Sequence, residues 1–535
     1  MKLHPLLLSL LSGILLAAAW PVNGFTPLIF VALVPLMVLQ HRLGESGKRG
    51  MFWYSWLAFA VWNGITTWWI WYSTQAGAVA AIVINALFSA VVFQVYHISK
   101  KRLFNNRRGF GIVIFYWITW EYFHTNWDLT WPWLTLGNVF ASKHTWIQWY
   151  EYTGVFGGSL WVLLSNVLIV QIIFRLKERD VKQVIIPVLL WTILITVPLV
   201  ISHSIYNNYK EGEQSMEVVV VQPNIDPYTE EFNLPPTVVM ERIFKLADKK
   251  ISDSTLYVVC PESAIQEGIW EENLQHSTSI KLIERYISYH PQTSFVIGAS
   301  TYRMLGKGEK LTNAARKYRD NQYYYAYNTA FQIDNTGFVQ VHHKSKLTPG
   351  VERMPSWWIL KPLEQYAIDL GGITGTLKDE EHPTVFENKK RGVKVSPIIC
   401  YESVFGEFTA KTVSAGSNAI FVITNDGWWG DTPGYKQHFL FSVLRAIETR
   451  RSVARAANTG TSAFINQRGD IREATPFWKQ ASIKERISLN DNLTFYVKYG
   501  DVIARISAFI SFFVLLISFT QDFLKKRENR QHSKT

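Results

Sequence analysis

At 535 residues the chain is too long for one ordinary globular domain, and at 48% hydrophobic and 15% aromatic it is rich for a soluble one. Its net charge of +12 is split unevenly: residues 1–216 carry +7, residues 502–535 carry +4, and the long middle, 217–501, only +1. Basic ends around a near-neutral middle argue against nucleic-acid binding, which needs a basic patch on a folded domain, and fit the basic loops of a membrane protein.

From the N-terminus, apolar stretches follow one another near 5–20, 26–41, 52–72, 76–97, 109–125, 153–174 and 184–202, with another near 502–521. Runs of about 16–22 apolar residues are long enough to cross a bilayer, so about eight transmembrane helices are predicted. Of the 22 tryptophans, 16 precede residue 217, where their half-polar rings suit membrane–water boundaries. The first stretch also has the outline of a signal peptide, but the spans that follow at once favour its retention. With the N-terminus inside, the segments "HRLGESGKRG", "SKKRLFNNRRG", "RLKERDVK" and "KKRENRQHSK" all face the cytoplasm, and the uncharged "STQAG" faces out. The positive-inside rule then holds at every turn and places the middle of the chain outside. Glu121, near the outer end of the fifth span, reads either as an interfacial residue or as polar lining where a substrate enters.

From about residue 216 the texture changes. Short β-branched runs predict strands at 216–224, 255–263, 294–300, 324–334, 394–403, 418–426 and 461–471. Apolar residues at three and four predict helices over 236–250, 274–290 and 435–458. Strands this apolar are covered on both faces, which makes an α/β layered domain. The predicted organisation is 1–204 as the N-terminal membrane helices, 205–500 as the outer domain, and 501–535 as a last helix with a basic tail.

Several strands end in polar residues, where open sheets build sites. "VVCPES" ends at Glu262, "SPIICYES" at Cys400 and "VITNDGWWGD" at Asn425 and Asp426, while "HHKSKLTPGVE" adds Lys344 and Glu352 in a loop. A cysteine nucleophile needs a base to take its proton or a cation to favour the thiolate. Glu262 and Lys344 offer both, and a lysine also stabilises the oxyanion formed on a carbonyl carbon. On composition alone, however, a lone cysteine in an apolar strand is usually core. Cys260 is the only other cysteine. The two can pair in an oxidising compartment, but Cys260 lies inside its strand and reads as a small hydrophobe. The His342–His343 pair is read as surface, not as a metal ligand.

Three motifs in order give a resemblance. "CPES" around Glu262, "KSKLTP" from Lys344 and "ICYES" around Cys400 resemble the Glu–Lys–Cys triad of the carbon–nitrogen hydrolase (nitrilase) superfamily. The membrane flanks, "VQPNI" at 221–225, "NDGWWGD" at 425–431, His438 and the stretch 450–471 make nearly the whole chain similar to the apolipoprotein N-acyltransferase family. Two departures stand out. The lysine loop reads "LTPGVE" where the family has L-V-P-F-G-E, and a family tryptophan after "VQPNI" has only Phe232 near it.

The resemblance implies an αββα sandwich on the periplasmic side of a bacterial inner membrane, carried by the transmembrane bundle. It implies Glu262, Lys344 and Cys400 as catalytic residues, with Glu352, Tyr401 and Glu402 in support. It implies a phospholipid acyl donor, a diacylglyceryl lipoprotein acceptor, no metal or organic cofactor, and a monomer. The expected reaction passes a fatty acyl group through a Cys400 thioester to the acceptor's N-terminal amine. The aromatic segments 125–140, 354–360 and 427–430 are candidates to line the way to the acyl chains. A membrane-anchored amidase acting on soluble amides is the alternative. A non-enzymatic protein with a decayed site is disfavoured by the intact triad and by the scarcity of ionisable residues within the spans.

Overall fold

The computed structural model describes residues 3–177, 181–231, 233–319, 321–354 and 376–532. The N-terminal part is helical: α1 (Pro5–Ala19), α2 (Val34–Ser46), α3 (Met51–Thr67), α4 (Gln75–Phe104), α5 (Ile112–Phe123), α6 (Tyr150–Lys177) and α7 (Val181–Asn208). Five segments are long and apolar enough to cross a membrane: Thr26–Ser46, Gln75–Phe104, Tyr150–Lys177, Gln183–Asn208 and Val502–Gln521. Helices α1, α3 and α5 are apolar but shorter, at 15, 17 and 12 residues. Some polar side chains inside this bundle are bonded, while among the described residues Trp62 Nε1, Tyr96 OH and Glu121 Oε2 are buried without a hydrogen-bond partner. Glu121 lies in its interior, not at an interface, and its carboxylate accepts Trp117 Nε1–H at 2.9 Å and the Leu136 amide at 2.7 Å.

The outer domain is two facing sheets. The first contains β1 (Ser215–Gln222), β2 (Thr255–Val259), β3 (Ile265–Trp270), β4 (Ser294–Met304), β5 (Arg316–Arg319), β6 (Gln322–Ile333) and β7 (Val339–His343). The second contains β8 (Phe386–Asn388), β9 (Val393–Ile399), β10 (Ala419–Thr424), β11 (Val453–Ala457), β12 (Ala463–Ile465) and β13 (Ile471–Arg472). A last strand, β14 (Ala481–Ser488), returns to the first sheet and pairs antiparallel with β1 along its whole length. The order is β14-β1-β2-β4-β6-β5 in one sheet and β13-β12-β11-β10-β9-β8 in the other. The central strands β1, β2 and β4, and β9, β10 and β11, run parallel.

The run "VVVV" in β1 shows why the strands read as continuously apolar. Val218 and Val220 face the second sheet, among Tyr257, Val395, Phe421 and Ala454. Val219 and Val221 face the other way, onto α8 (Pro236–Ala247) and α9 (Thr278–Ser288) through Met240, Ile243, Ile280 and Ile283. The far face of the second sheet packs on α10 (Gly406–Ser414) and α11 (Pro433–Thr449). That layer merges with the membrane bundle in a single core, in which Ile398, Val422 and Leu444 share one apolar cluster with Phe140 and Val162. After α12 (Phe495–Tyr499), the chain leaves through α13 (Val502–His532).

A predicted strand and a predicted helix are corrected: the strand expected over 461–471 is a hairpin of β12 and β13, turning between Asn466 and Asp470. The helix expected over 435–458 ends at Thr449, and Val453–Ala457 is the strand β11. Arg450 takes a left-handed φ of 51° and turns its guanidinium to Glu151 at 2.8 Å and to Gln148 Oε1 at 2.7 Å. Beyond it the burial alternates: Val453 faces the helices, and Ala454 and Ala456 face the other sheet.

Candidate active site

The residues singled out from sequence arrive from both sheets. Glu262 stands in the turn after β2. Strand β4 passes so close beneath it that a Cβ on Gly298 would lie 2.6 Å from the Glu262 Cα, so this position requires glycine. Lys344 follows β7, its amide bonded to the Asn328 carbonyl at 2.8 Å. Its ammonium is 2% exposed and lies 3.1 Å from Glu262 Oε1 and 2.8 Å from Glu352 Oε1. The departing "LTPGVE" loop therefore still delivers Glu352 to Lys344, with Thr348 N–H donating to Glu352 Oε2 at 2.8 Å. Asn328 donates to both carboxylates, at 2.7 and 2.9 Å, and the Asn425 amide donates to Glu262 Oε2 at 3.0 Å.

Cys400 lies one residue beyond β9 and opens a tight turn over Cys400–Val404 with φ of 49°. For a non-glycine residue this conformation is strained and must be held by its surroundings. Glu402 supplies part of the hold. Its fully buried carboxylate accepts the Ile399 amide at 2.7 Å and the Ser345 amide at 2.6 Å, joining the cysteine turn to the lysine loop. The Tyr401 hydroxyl points away from the turn and donates to the Thr130 carbonyl of the membrane part at 2.9 Å.

The charges have a definite arrangement. Burial opposes the Lys344 cation, but the Glu262 and Glu352 carboxylates outweigh it and hold its pKa well above the ordinary lysine value. Burial likewise works against the Glu352 anion, and Lys344 with the loop amides wins, keeping it below the usual carboxylate range. The Cys400 thiol is pushed up, first by burial and then by the charge of Glu262, with Lys344 opposing. The Cys400 thiol is therefore favoured in its protonated form, beside a carboxylate. Lys344 is engaged by the two carboxylates.

Three side chains at the site carried no signal that sequence reading used. Asn328 is one of three buried polar residues in β6, with Thr329 and Gln332, and nothing in the sequence sets it apart from them. Glu231 is buried, receives Asn425 Nδ2–H at 2.8 Å, and has a pKa raised to about 8 by burial and by Glu262. Arg455 lies inside a helix-like pattern that is in fact β11, and donates to Asp426 Oδ2 at 2.6 Å. The ligating atoms of Cys400, Asp426 and His438 lie within 4.8 Å of one another, but Asp426 is bound by Arg455 and His438 Nε2 faces the Cys400 carbonyl, so those donors are spent.

The reading of the histidine pair is corrected as well. His342 is buried against Glu402 at 3.3 Å, and His343 sits between Glu271 at 2.7 Å and Glu380 at 3.4 Å beneath the Tyr327 ring. His342 is buried by the cysteine turn, and His343 is largely covered by Glu271 and by Glu380 of the segment after residue 376. The two cysteines are free: Cys260 faces the helix layer and Cys400 lies at the edge of the core between the sheets. Phe232 and the aromatic segment from 355 to 360 lie outside the described residues. Trp133 and Trp429, from the other two aromatic segments, meet Trp69 at 4.9 and 4.8 Å where the bundle joins the outer domain.

The family model of the apolipoprotein N-acyltransferase N-terminal domain matches residues 12–168, and that of carbon–nitrogen hydrolases matches residues 299–491, a stretch holding Lys344, Glu352 and Cys400. An apolipoprotein N-acyltransferase of Chlorobaculum tepidum is 30% identical over 527 residues, covering 96% of each chain. The chain belongs to the apolipoprotein N-acyltransferase family. A Geobacter metallireducens member is 28% identical over 93% of this chain and 92% of its own. Among solved structures, a nitrilase-superfamily protein of Saccharomyces cerevisiae overlays with a TM-score of 0.37 at 16% identity, covering 52% of this chain and 92% of that one. The outer domain has the carbon–nitrogen hydrolase fold, and the chain is an acyltransferase of lipoprotein maturation. The match of the membrane part favours this reading over the amidase alternative.

Proposed function

We propose that this membrane acyltransferase works by a two-step exchange at Cys400, taking its acyl group from a phospholipid. In the first step Glu262 takes the thiol proton as sulfur attacks the ester carbonyl. The sulfur–carbon bond forms, the carbon–oxygen ester bond breaks, and the proton passes to the departing lysophospholipid oxygen. In the second step the N-terminal amine of a diacylglyceryl-cysteine lipoprotein attacks the thioester. The amide bond forms, the carbon–sulfur bond breaks, and the amine's proton travels by Glu262 back to sulfur. Lys344 and the Tyr401 N–H stabilise the oxyanion in both steps, Glu352 holds Lys344, and Glu402 holds the cysteine turn.

The observation that carries this reading is the meeting of Lys344 with Glu262 and Glu352 at one buried point, within electrostatic reach of the Cys400 thiol. Both substrates are lipids, and a site at the junction with the bundle meets both in the membrane plane. In this reading residues 1–204 form the N-terminal membrane helices, 205–500 the catalytic domain on the periplasmic side of the inner membrane, and 501–535 the last of about eight spans and its cytoplasmic tail. The enzyme works as a monomer.

The test is intact-protein mass spectrometry of the full chain after incubation with phosphatidylethanolamine, beside Cys400→Ala. The expected result is a mass gain of one fatty acyl group, removed by hydroxylamine and absent from the variant. No adduct and no lysophospholipid in the unaltered protein would overturn the reading.

A further inference from the structure

The cysteine turn is braced a second time, from the side of α11. His438 is fully buried, with Nε2 3.1 Å from the Cys400 carbonyl oxygen and 3.0 Å from Ser403 Oγ, and Nδ1 2.8 Å from Asp426 Oδ1. A carbonyl oxygen only accepts, so the ring donates to it. Asp426 is fixed in turn by Arg455 at 2.6 Å and by Thr424 Oγ1 at 2.8 Å. Trp133 of the membrane part lies nearly parallel over the imidazole, centroids 5.7 Å apart at 23°. These contacts fix the backbone of Cys400 at the residue whose φ is 49°.

The preceding residue bonds in a different direction. Gln437 Oε1 accepts Trp133 Nε1–H at 2.8 Å and Trp69 Nε1–H at 3.3 Å, and its Nε2 donates to the carbonyls of Pro21 at 3.1 Å and Thr66 at 3.3 Å. One buried amide thus uses its two lone pairs and its two N–H groups on three separate stretches of the membrane bundle. Apolar packing already joins the two parts in one core. Four directed bonds from one side chain add register rather than adhesion.

We infer that Gln437 and His438 are positioning residues, which hold the Cys400 peptide in its left-handed turn and register that turn to the membrane bundle. The bundle is then part of the device that aims the nucleophile, beyond its role as an anchor. If the hold is released, Cys400 relaxes toward extended backbone, and its thiol and the following N–H swing away from the carbonyl they must both meet. The inference rests on the Cys400 thioester reading for its kinetic consequence, but not for its structural one.

The test uses the full chain in phosphatidylethanolamine nanodiscs, with Gln437→Leu, His438→Phe and His438→Gln, the last keeping a side-chain N–H for the Cys400 carbonyl. Single-turnover acylation and hydrogen exchange of segment 400–404 are measured together. Gln437→Leu is expected to slow acylation by about 10- to 100-fold at a donor KM within about twofold, the scale of a misplaced reacting group. Exchange at 400–404 should quicken at least about tenfold while β4 stays protected, because its opening is local. His438→Phe should do the same, and His438→Gln should recover part of the rate. Wild-type acylation and exchange in Gln437→Leu would overturn the inference. So would loss of protection spread equally over β4 and β9, which marks a merely structural residue. If the unaltered chain forms no thioester, the two-step reading fails while the exchange measurement still decides the positioning role.

Discussion

The two cysteines occupy comparable places and differ in everything around them. Each follows a central parallel strand, Cys260 after β2 and Cys400 after β9. Cys260 is fully buried on the helix-facing side among valine, isoleucine and methionine, and burial alone drives its thiol up. The Cys400 thiol is also raised by burial, yet it stands beside Glu262, Lys344 and Asp426, in a turn with left-handed φ. Neither residue is a resting thiolate, so acidity does not distinguish them. In the proposed mechanism a carboxylate that takes the proton, a lysine that meets the oxyanion, and a backbone held open make Cys400 the nucleophile. Reactivity here is a property of the turn and its neighbours more than of the sulfur.

The largest effect that sharpens this contrast is expected from Glu262→Gln. The amide keeps the size of the side chain but cannot take the Cys400 proton. A positioned general base contributes about 10²- to 10⁴-fold, so acylation of Cys400 in a single-turnover assay should fall by that amount. A rate within about threefold of wild type would mean that the proton leaves by another route, and that Cys400 differs from Cys260 by access alone.

A smaller effect is expected from Glu352→Gln, read as stability against pH. Burial raises the pKa of this carboxyl, but Lys344 and the Thr348 amide outweigh it, so the folded value lies below the unfolded one. A depressed carboxyl contributes stability that is present above its unfolded pKa, about 4.3, and is lost as pH falls through the folded value. The wild type should therefore lose stability as pH falls from about 5 toward 2. Glu352→Gln should be less stable by about 1–3 kcal/mol near neutral pH and have a flatter profile in that acid window. Lys344, whose folded pKa is raised, contributes stability that is lost only at strongly alkaline pH, outside the window. Thermal unfolding in detergent across that range measures both slopes, and equal slopes would remove Glu352 from the charge cluster.

Much of this arrangement was legible in the chain because it rests on local pattern. Apolar length marked the membrane helices, and "VVVV" marked a strand covered on both faces. The strand-end positions of Glu262 and Cys400 were visible because polar residues interrupt apolar runs there. What was hidden depends on partners far away in sequence. "VARAA" at 453–457 has no period that separates strand from helix in five residues, and the left-handed Arg450 that divides it from α11 is decided by Glu151, 299 residues away. His342 and His343 look like a surface pair until the cysteine turn, Glu271 and Glu380 cover them. The clamp through Gln437 joins Pro21, Thr66 and Trp133 to a helix of the outer domain, and no local signal encodes that meeting.

The smallest effect is expected from Cys260→Ala, and its smallness is informative. The side chain is wholly buried against the helix layer, and no hydrogen bond or charge in the site depends on it. Removing one buried heavy atom from a packed core costs about 1 kcal/mol. The variant should unfold slightly earlier, while acylating within about twofold of wild type. Alkylation with iodoacetamide should label the unaltered protein once, at Cys400, and label Cys260→Ala at the same rate. A slow second label in the unaltered protein that vanishes in the variant would show that β2 opens and exposes Cys260. A fall in acylation of tenfold or more would mean that the β2 end sets the position of Glu262, two residues on, so that the two cysteines belong to one coupled site instead of two independent environments.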